Sequence, residues 1–243
     1  MIFKYLHTGF IILWVILATT IFGLATILAS FFSKTGDFPH LIARAWAQSI
    51  LFVSRVSVQV RGLSNIDPSQ SYIYMPNHQS NFDIPVLLGC LPVQFRWLAK
   101  AELFKIPVLG RGMKGCGYIS IDRSNRKSAF KSLWAAACTI RDGASVLIFP
   151  EGTRSHDGKI RPFKKGGFVL AVDSGVPIVP VVIHGTWSIM PRNRWRIEPA
   201  GVVLEIKKSI ATTDYTRRTK DDLLAEVRQS ICESFDKGQS DLP

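Results

Sequence analysis

The sequence predicts an α/β fold: a single mixed-sheet domain flanked by helices, carried behind an N-terminal helical membrane anchor. Two patterns support that reading. Beyond residue 58, short apolar strands alternate with helical stretches, the sequence form of an α/β layer arrangement. Ahead of them, residues 9–32 run 24 positions without a charged side chain. With 243 residues, 47% of them hydrophobic, the chain can build one good-sized core plus an accessory segment.

The uncharged run, "GFIILWVILATTIFGLATILASFF", would form a helix of roughly 36 Å at ~1.5 Å per residue, against a bilayer core of about 30 Å. A cleaved signal sequence is the competing reading, but its apolar region normally spans only about 7–15 residues. No clear A-x-A site follows this run, so a retained anchor fits better. Lys4 is the only Lys or Arg before it, whereas Lys34, Arg44 and Arg55 come after. That asymmetry predicts an inner (cytoplasmic) membrane location with the remainder of the chain in the cytoplasm. A second segment, about 40–55, is amphipathic. It suits either the membrane interface or an ordinary helix packed on the domain, and the residues alone do not separate the two. The organisation read from the chain is therefore a helical anchor over 1–58 and an α/β domain over 59–243.

Within that domain the expected strands are 57–61, 72–75, 95–99, 118–121, 145–149, 178–183 and 202–207. Phe130, Leu133, Trp134, Ala137 and Ile140 recur at helical spacing, with Gly143 as the C-terminal stop. Thr219 and Asp222 form a capping-box pattern before a helix bearing Leu223, Leu224, Val227, Ile231 and Phe235 on one face. Cys90, Cys116, Cys138 and Cys232 show neither CxxC nor metal-ligand spacing, which reads as buried free thiols in a reducing compartment.

Two strand ends carry polar knots. In "YIYMPNHQSNFDIPVLL", Pro76 ends a strand and Ser80 or Asn81 can cap a helix starting near Phe82. On a straight helix His78 and Asp83 would point about 140° apart, so they meet only if the segment turns. A carboxylate on one imidazole nitrogen fixes the tautomer and leaves the other nitrogen as a general base. These two residues alone equally allow a hydrogen-bonded loop histidine and an aspartate complementing a helix dipole. No G-x-S-x-G motif supplies a nucleophile, so the activated hydroxyl would belong to a substrate. No third ligand stands at metal spacing.

The second knot is "LIFPEGTRSHDGKIRPFKKGG". Arg154 offers a fork of donors suited to a phosphate, and Gly152 lets the backbone approach closely. Lys159, Arg161, Lys164 and Lys165 surround it, and Lys100, Lys105, Arg111 and Lys114 with four further basic residues precede it. Thirty Lys and Arg against eighteen Asp and Glu give a formal charge of +12. Such a surface attracts nucleic acid, anionic headgroups or phosphorylated substrates, and charge alone does not choose.

The ordered set does choose. "NHQSNFD", "FRWLAKAELFKIPVLGRGM", "FPEGTRS" and "VPIVPVVI" together resemble, over residues 70–190, the four blocks of the glycerolipid acyltransferase family, most closely its 1-acylglycerol-3-phosphate branch. The resemblance implies an acyltransferase of phospholipid synthesis that converts a lysophosphatidate acceptor to phosphatidate. The co-substrate would be acyl-CoA or acyl-carrier protein, and it implies no cofactor, no metal and no nucleic acid. It implies that His78, of the H-x4-D motif, is the base and Asp83 its orienting group. It further implies that Arg154, with Lys100, holds the acceptor phosphate in a site shaped by Glu151, Gly152 and Thr153. Pro177 and Pro180 would shape a strand and an acyl-facing wall. The same chemistry on glycerol 3-phosphate or another lysolipid, a thioesterase using water, and a non-catalytic binder of anionic ligands are the rivals.

Overall fold

The computed structural model describes residues 2–122 and 126–238; Arg123, one of the basic residues after Lys114, lies outside them. Seven strands form one sheet: β1 (Ser57–Arg61), β2 (Ile73–Pro76), β3 (Phe95–Lys100), β4 (Ile119–Ile121), β5 (Ser145–Leu147), β6 (Ile178–His184) and β7 (Gly201–Ile206). Their order is β1-β7-β6-β2-β5-β3-β4. All neighbours pair in parallel except β6 and β7, so the sheet is mixed, as the sequence predicts. All seven expected strands are present, with ends shifted by one or two residues.

Central strand β2 is buried on both faces, which explains why it reads as a continuous apolar run. Its side chains alternate between two cores. Tyr72 and Tyr74 join Phe95, Trp97, Val179, Val181 and Ile183 on one face. Ile73 and Met75 join Phe168, Val182 and Ile231 on the other. The second face is covered by α5 (Arg126–Arg141), α6 (Gly166–Ser174) and α8 (Lys220–Gly238). The stop after α5 is as expected, Gly143 having φ 89°. The capping box before α8 is not formed: the Thr219 hydroxyl accepts from the Thr216 amide at 2.9 Å, because a preceding turn already claims it. Of the four free cysteines only Cys116 is fully buried, the other three being half-buried.

The first face is covered by α1 (Ile2–Ser30), α2 (Asp37–Val53), α3 (Asp83–Cys90) and α4 (Pro107–Gly115). Residues Tyr5–Ser30 of α1 are long and apolar enough to cross a membrane, yet the helix lies along the domain. Ile11 is fully buried in the same core as β6 and β7. Trp14 Nε1 donates to Ser49 Oγ at 3.3 Å, and Trp46 Nε1 to Thr19 Oγ1 at 3.1 Å. Where α1 crosses α4, a Cβ on Gly23 would sit 2.5 Å from Val108 Cγ1 and one on Gly115 would sit 2.8 Å from Ser30 Cβ. Only small residues permit that approach.

Helix α2 is amphipathic in part: Ala47, Ile50 and Leu51 are buried in the core. Half-buried Arg44 and exposed Gln48 donate to the carbonyls of Leu91 (3.0 Å), Val93 (2.8 Å) and Gly89 (3.0 Å) at the end of α3. These carbonyls lack intrahelical partners, so polar groups are needed there. Apolar Phe38, Leu41 and Phe52 face outward, Phe52 being 84% exposed.

Candidate active site

Strands β2, β5 and β3 are parallel neighbours with Tyr74, Leu147 and Trp97 in register. Residues a few positions further along each strand therefore emerge at one edge of the sheet. His78, Glu151 to Arg154 and Lys100 do so, although 76 residues separate His78 from Arg154 in the chain.

The loop after β2 turns as the sequence requires. Asn77, fully buried, exchanges two bonds with β6: its Nδ2 donates to Ile183 O (3.0 Å) and its Oδ1 accepts from Ile183 N–H (2.7 Å). Asp83 stands in the first turn of α3, fully buried. Its Oδ2 lies 2.7 Å from His78 Nδ1 and accepts the amides of Gln79 (2.7 Å) and Ser80 (2.9 Å). Its Oδ1 accepts from Thr186 Oγ1 at 2.5 Å. A carboxylate that only accepts fixes the histidine proton on Nδ1 and leaves Nε2 with its lone pair. The ring is further held by stacking on Phe149, with centroids 3.8 Å apart and planes 15° apart. No serine or cysteine among the described residues hydrogen-bonds this imidazole.

The loop after β5 braces that histidine from below. Buried Glu151 accepts the His78 amide at Oε1 (2.6 Å) and the Arg161 amide at Oε2 (2.8 Å), and the Ser155 amide donates to His78 O (2.8 Å). Burial pushes the Glu151 carboxyl up to about 7, partly offset by those two amides. Glu151 therefore shapes the site from beneath. Gly152 turns the chain with φ 74°, a conformation that disfavours any side chain. Arg154 is half-buried; burial first and the nearby Arg192 second hold its guanidinium below its ordinary value. Lys100 reaches the same edge but is 63% exposed and paired with Glu102 at 3.1 Å. Lys165 is turned away into an ion pair with Asp221 at 2.7 Å, as a solvated surface lysine.

An apolar cavity of about 400 Å³ lies between α1, α2, α4 and β3, lined by Phe22, Trp46, Leu88, Trp97, Leu109 and Met113 and reaching Asn81. Trp97 joins it to the site, since its ring stacks on Phe149 (centroids 5.6 Å apart), which stacks on His78. Pro177 and Pro180 do not line this cavity: Pro180 sits inside β6, paired with Met75, on the strand positions that alternate away from it. Two residues escaped the sequence reading altogether. Thr186 and Arg192 follow the fourth block and have no local pattern tying them to residues 83 and 153, more than thirty positions away.

A family model described as Acyltransferase matches residues 57–184. The chain is 38% identical over 200 residues to the chloroplastic 1-acyl-sn-glycerol-3-phosphate acyltransferase of Brassica napus, covering 82% of this chain and 56% of that one. Against the human alpha form of that enzyme it is 32% identical over 195 residues, covering 80% and 69%. The first relatives are longer, so this chain spans between half and three-fifths of their length. The crystal structure of the 1-acyl-sn-glycerophosphate acyltransferase PlsC from Thermotoga maritima superposes with a TM-score of 0.83 at 27% identity, covering 97% of this chain and 96% of that one. With a family match over more than half its length and relatives 32–38% identical over four-fifths of it, the chain belongs to the acyltransferase family of glycerolipid enzymes.

Proposed function

We propose that the protein transfers an acyl group from a thioester to the sn-2 hydroxyl of 1-acylglycerol 3-phosphate, giving phosphatidate. The observation that carries this is the imidazole itself: oriented at Nδ1 by a buried carboxylate, free at Nε2, at the same sheet edge as Arg154, and linked through Phe149 and Trp97 to an apolar cavity. His78 Nε2 removes the acceptor's hydroxyl proton as its oxygen attacks the thioester carbonyl. The tetrahedral oxyanion collapses, the C–S bond breaks, and the thiolate leaves with the proton returned from Nε2. No covalent acyl-enzyme is needed. Asp83 steadies the imidazolium, which is worth most in a water-poor site. Arg154, with Lys100, holds the acceptor phosphate, and the cavity takes an acyl chain.

The outward apolar face of α1 (Leu6, Phe10, Leu13, Leu17, Leu24, Leu28), with Phe38 and Phe52 of α2, supports a membrane-bound enzyme, and the Lys and Arg that follow α1 favour the cytoplasmic side. Because α1 is packed on α2 and α4, its free face would bed in the adjoining leaflet, beside the cavity that receives lipid. The donor is acyl-CoA or acyl-carrier protein, both anionic and suited to a basic protein.

An assay of purified protein with labelled lysophosphatidate and each donor tests the reading, with phosphatidate as the expected product. Acylation of glycerol 3-phosphate or a phosphate-free lysolipid instead would reassign the acceptor. Fatty acid release without any acceptor would mark a thioesterase.

A further inference from the structure

We propose that Arg192 is a second guanidinium of the acceptor site, and that with Arg154 it makes the site prefer a dianionic phosphate monoester over a monoanionic diester. The inference rests on the function proposed above and adds to it a residue outside all four sequence blocks.

The backbone around Arg192 is tied to the loop bearing the base. Pro191 forms an isolated bridge with Ser80, and Ser80 Oγ donates to Met190 O at 2.9 Å. The side chain is then pinned through one nitrogen only. Arg192 Nη1 donates to Thr153 Oγ1 (3.2 Å), to Arg154 O (3.1 Å) and to His156 Nε2 (2.7 Å). A guanidinium has no acceptor, so His156 Nε2 accepts and its ring proton sits on Nδ1. The Nε and Nη2 donors of Arg192 form no hydrogen bond with any described residue.

With Arg192 Nη1 on the Arg154 carbonyl at 3.1 Å the two arginines are neighbours, and the charge of Arg192 helps to hold the Arg154 guanidinium below its ordinary value. Neither guanidinium has a carboxylate within ion-pair distance among the described residues. Arg96 and Arg217, by contrast, each meet a carboxylate, Asp37 at 2.5 Å and Asp173 at 2.6 Å. Holding two unpaired guanidiniums together is unfavourable until an anion enters between them, and the free fork of Arg192 is the geometry that grips phosphate oxygens. One cation suffices for a monoanionic diester. A second is useful only where the ligand carries a second charge.

The experiment measures dissociation constants by titration calorimetry in detergent micelles. The probes are 2-deoxy-lysophosphatidate, which lacks the reacting hydroxyl, its phosphate methyl ester, and acyl-CoA. The wild type is expected to bind the monoester at least about tenfold more tightly than the diester. Arg192→Gln should collapse that preference to within about threefold, while Arg154→Ala weakens both probes. Arg192→Lys, which keeps the charge but loses the fork, should give an intermediate ratio and serves if the glutamine variant does not fold. The proposal is overturned if Arg192 variants leave the ratio unchanged, if they weaken both probes equally, or if only acyl-CoA binding suffers; that last result would assign the arginine to the carrier's phosphates. Failure of the proposed function is a separate result: wild-type protein that never acylates lysophosphatidate.

Discussion

The loop after β2 and the loop after β5 stand at the same sheet edge and are built in opposite ways. In the first, nearly every polar group is satisfied before any ligand arrives: Asn77 locks to β6, Ser80 to Met190, and Asp83 gathers His78, two amides and Thr186. In the second, Glu151 is buried and satisfied, but Arg154 keeps its donors unused, and Arg192, which comes from the segment after β6 and α7, binds its carbonyl with the fork left free. A general base must be oriented ahead of the reaction, because misplacement by about 1 Å is worth ~10²-fold in rate. An anion site can be completed by its ligand. The contrast separates preorganised chemistry from ligand-assembled recognition.

Mutations should divide along that line. His78→Ala should lower kcat by at least about 10³-fold, near the upper range of general-base assistance, with vesicle binding intact. Retention of a tenth of the activity would break the comparison at its strongest point. Arg154→Ala should act on recognition, raising KM for the acceptor about 10–100-fold, the equivalent of ~1.5–3 kcal/mol for a charged hydrogen-bonding group. Initial rates against varied acceptor and varied donor distinguish this from a donor effect, which would contradict the assignment.

Thr186→Val removes one hydroxyl behind the carboxylate at nearly constant shape. It should lower kcat about 5–10-fold, matching ~1 kcal/mol for one hydrogen bond, and leave acceptor KM within about twofold. A change in KM alone would remove Thr186 from the base's support. At Glu151 the expected effect falls on stability rather than on rate. Its folded-state value near 7 lies above the ordinary carboxylate value of 4.5, so the folded protein binds the proton more tightly than the unfolded chain. The Glu151 contribution to stability therefore falls as pH rises from about 4.5 to about 7. Glu151→Gln should flatten that stretch of the melting-temperature profile while destabilising the fold by ~1–3 kcal/mol, since an amide cannot accept from both backbone donors equally well. An unchanged slope would show that the carboxyl does not titrate there.

Much of the site was legible in the chain because its members are local. His78 and Asp83 sit five positions apart on one strand-loop-helix turn that the strand-ending Pro76 forecasts; the expected cap by Ser80 or Asn81 is not formed, Phe82 standing at the start of α3 with its amide on the Ser80 hydroxyl at 3.2 Å. The seven strands were legible because burial on one or both faces imposes apolar runs of a set length. The stop at Gly143 followed from glycine's tolerance of positive φ. Other features had no local signature. The setting of α2 depends on which carbonyls α3 leaves open, so Arg44 and Gln48 bond to them while Phe38, Leu41 and Phe52 stay exposed. The Thr219 cap was lost to a competing turn.

By itself, then, the sequence determined the α/β class, the long apolar first helix, and the histidine with its carboxylate, because each is encoded in periodicity or in spacing within a single turn. Tertiary structure alone decided that α1 lies against α2 and α4, that Phe149 and Trp97 connect the imidazole to an apolar cavity, and that Thr186 and Arg192 join the site. Those pairings span tens of residues or more, and they exist only because parallel strands deliver their following loops to one edge of the sheet.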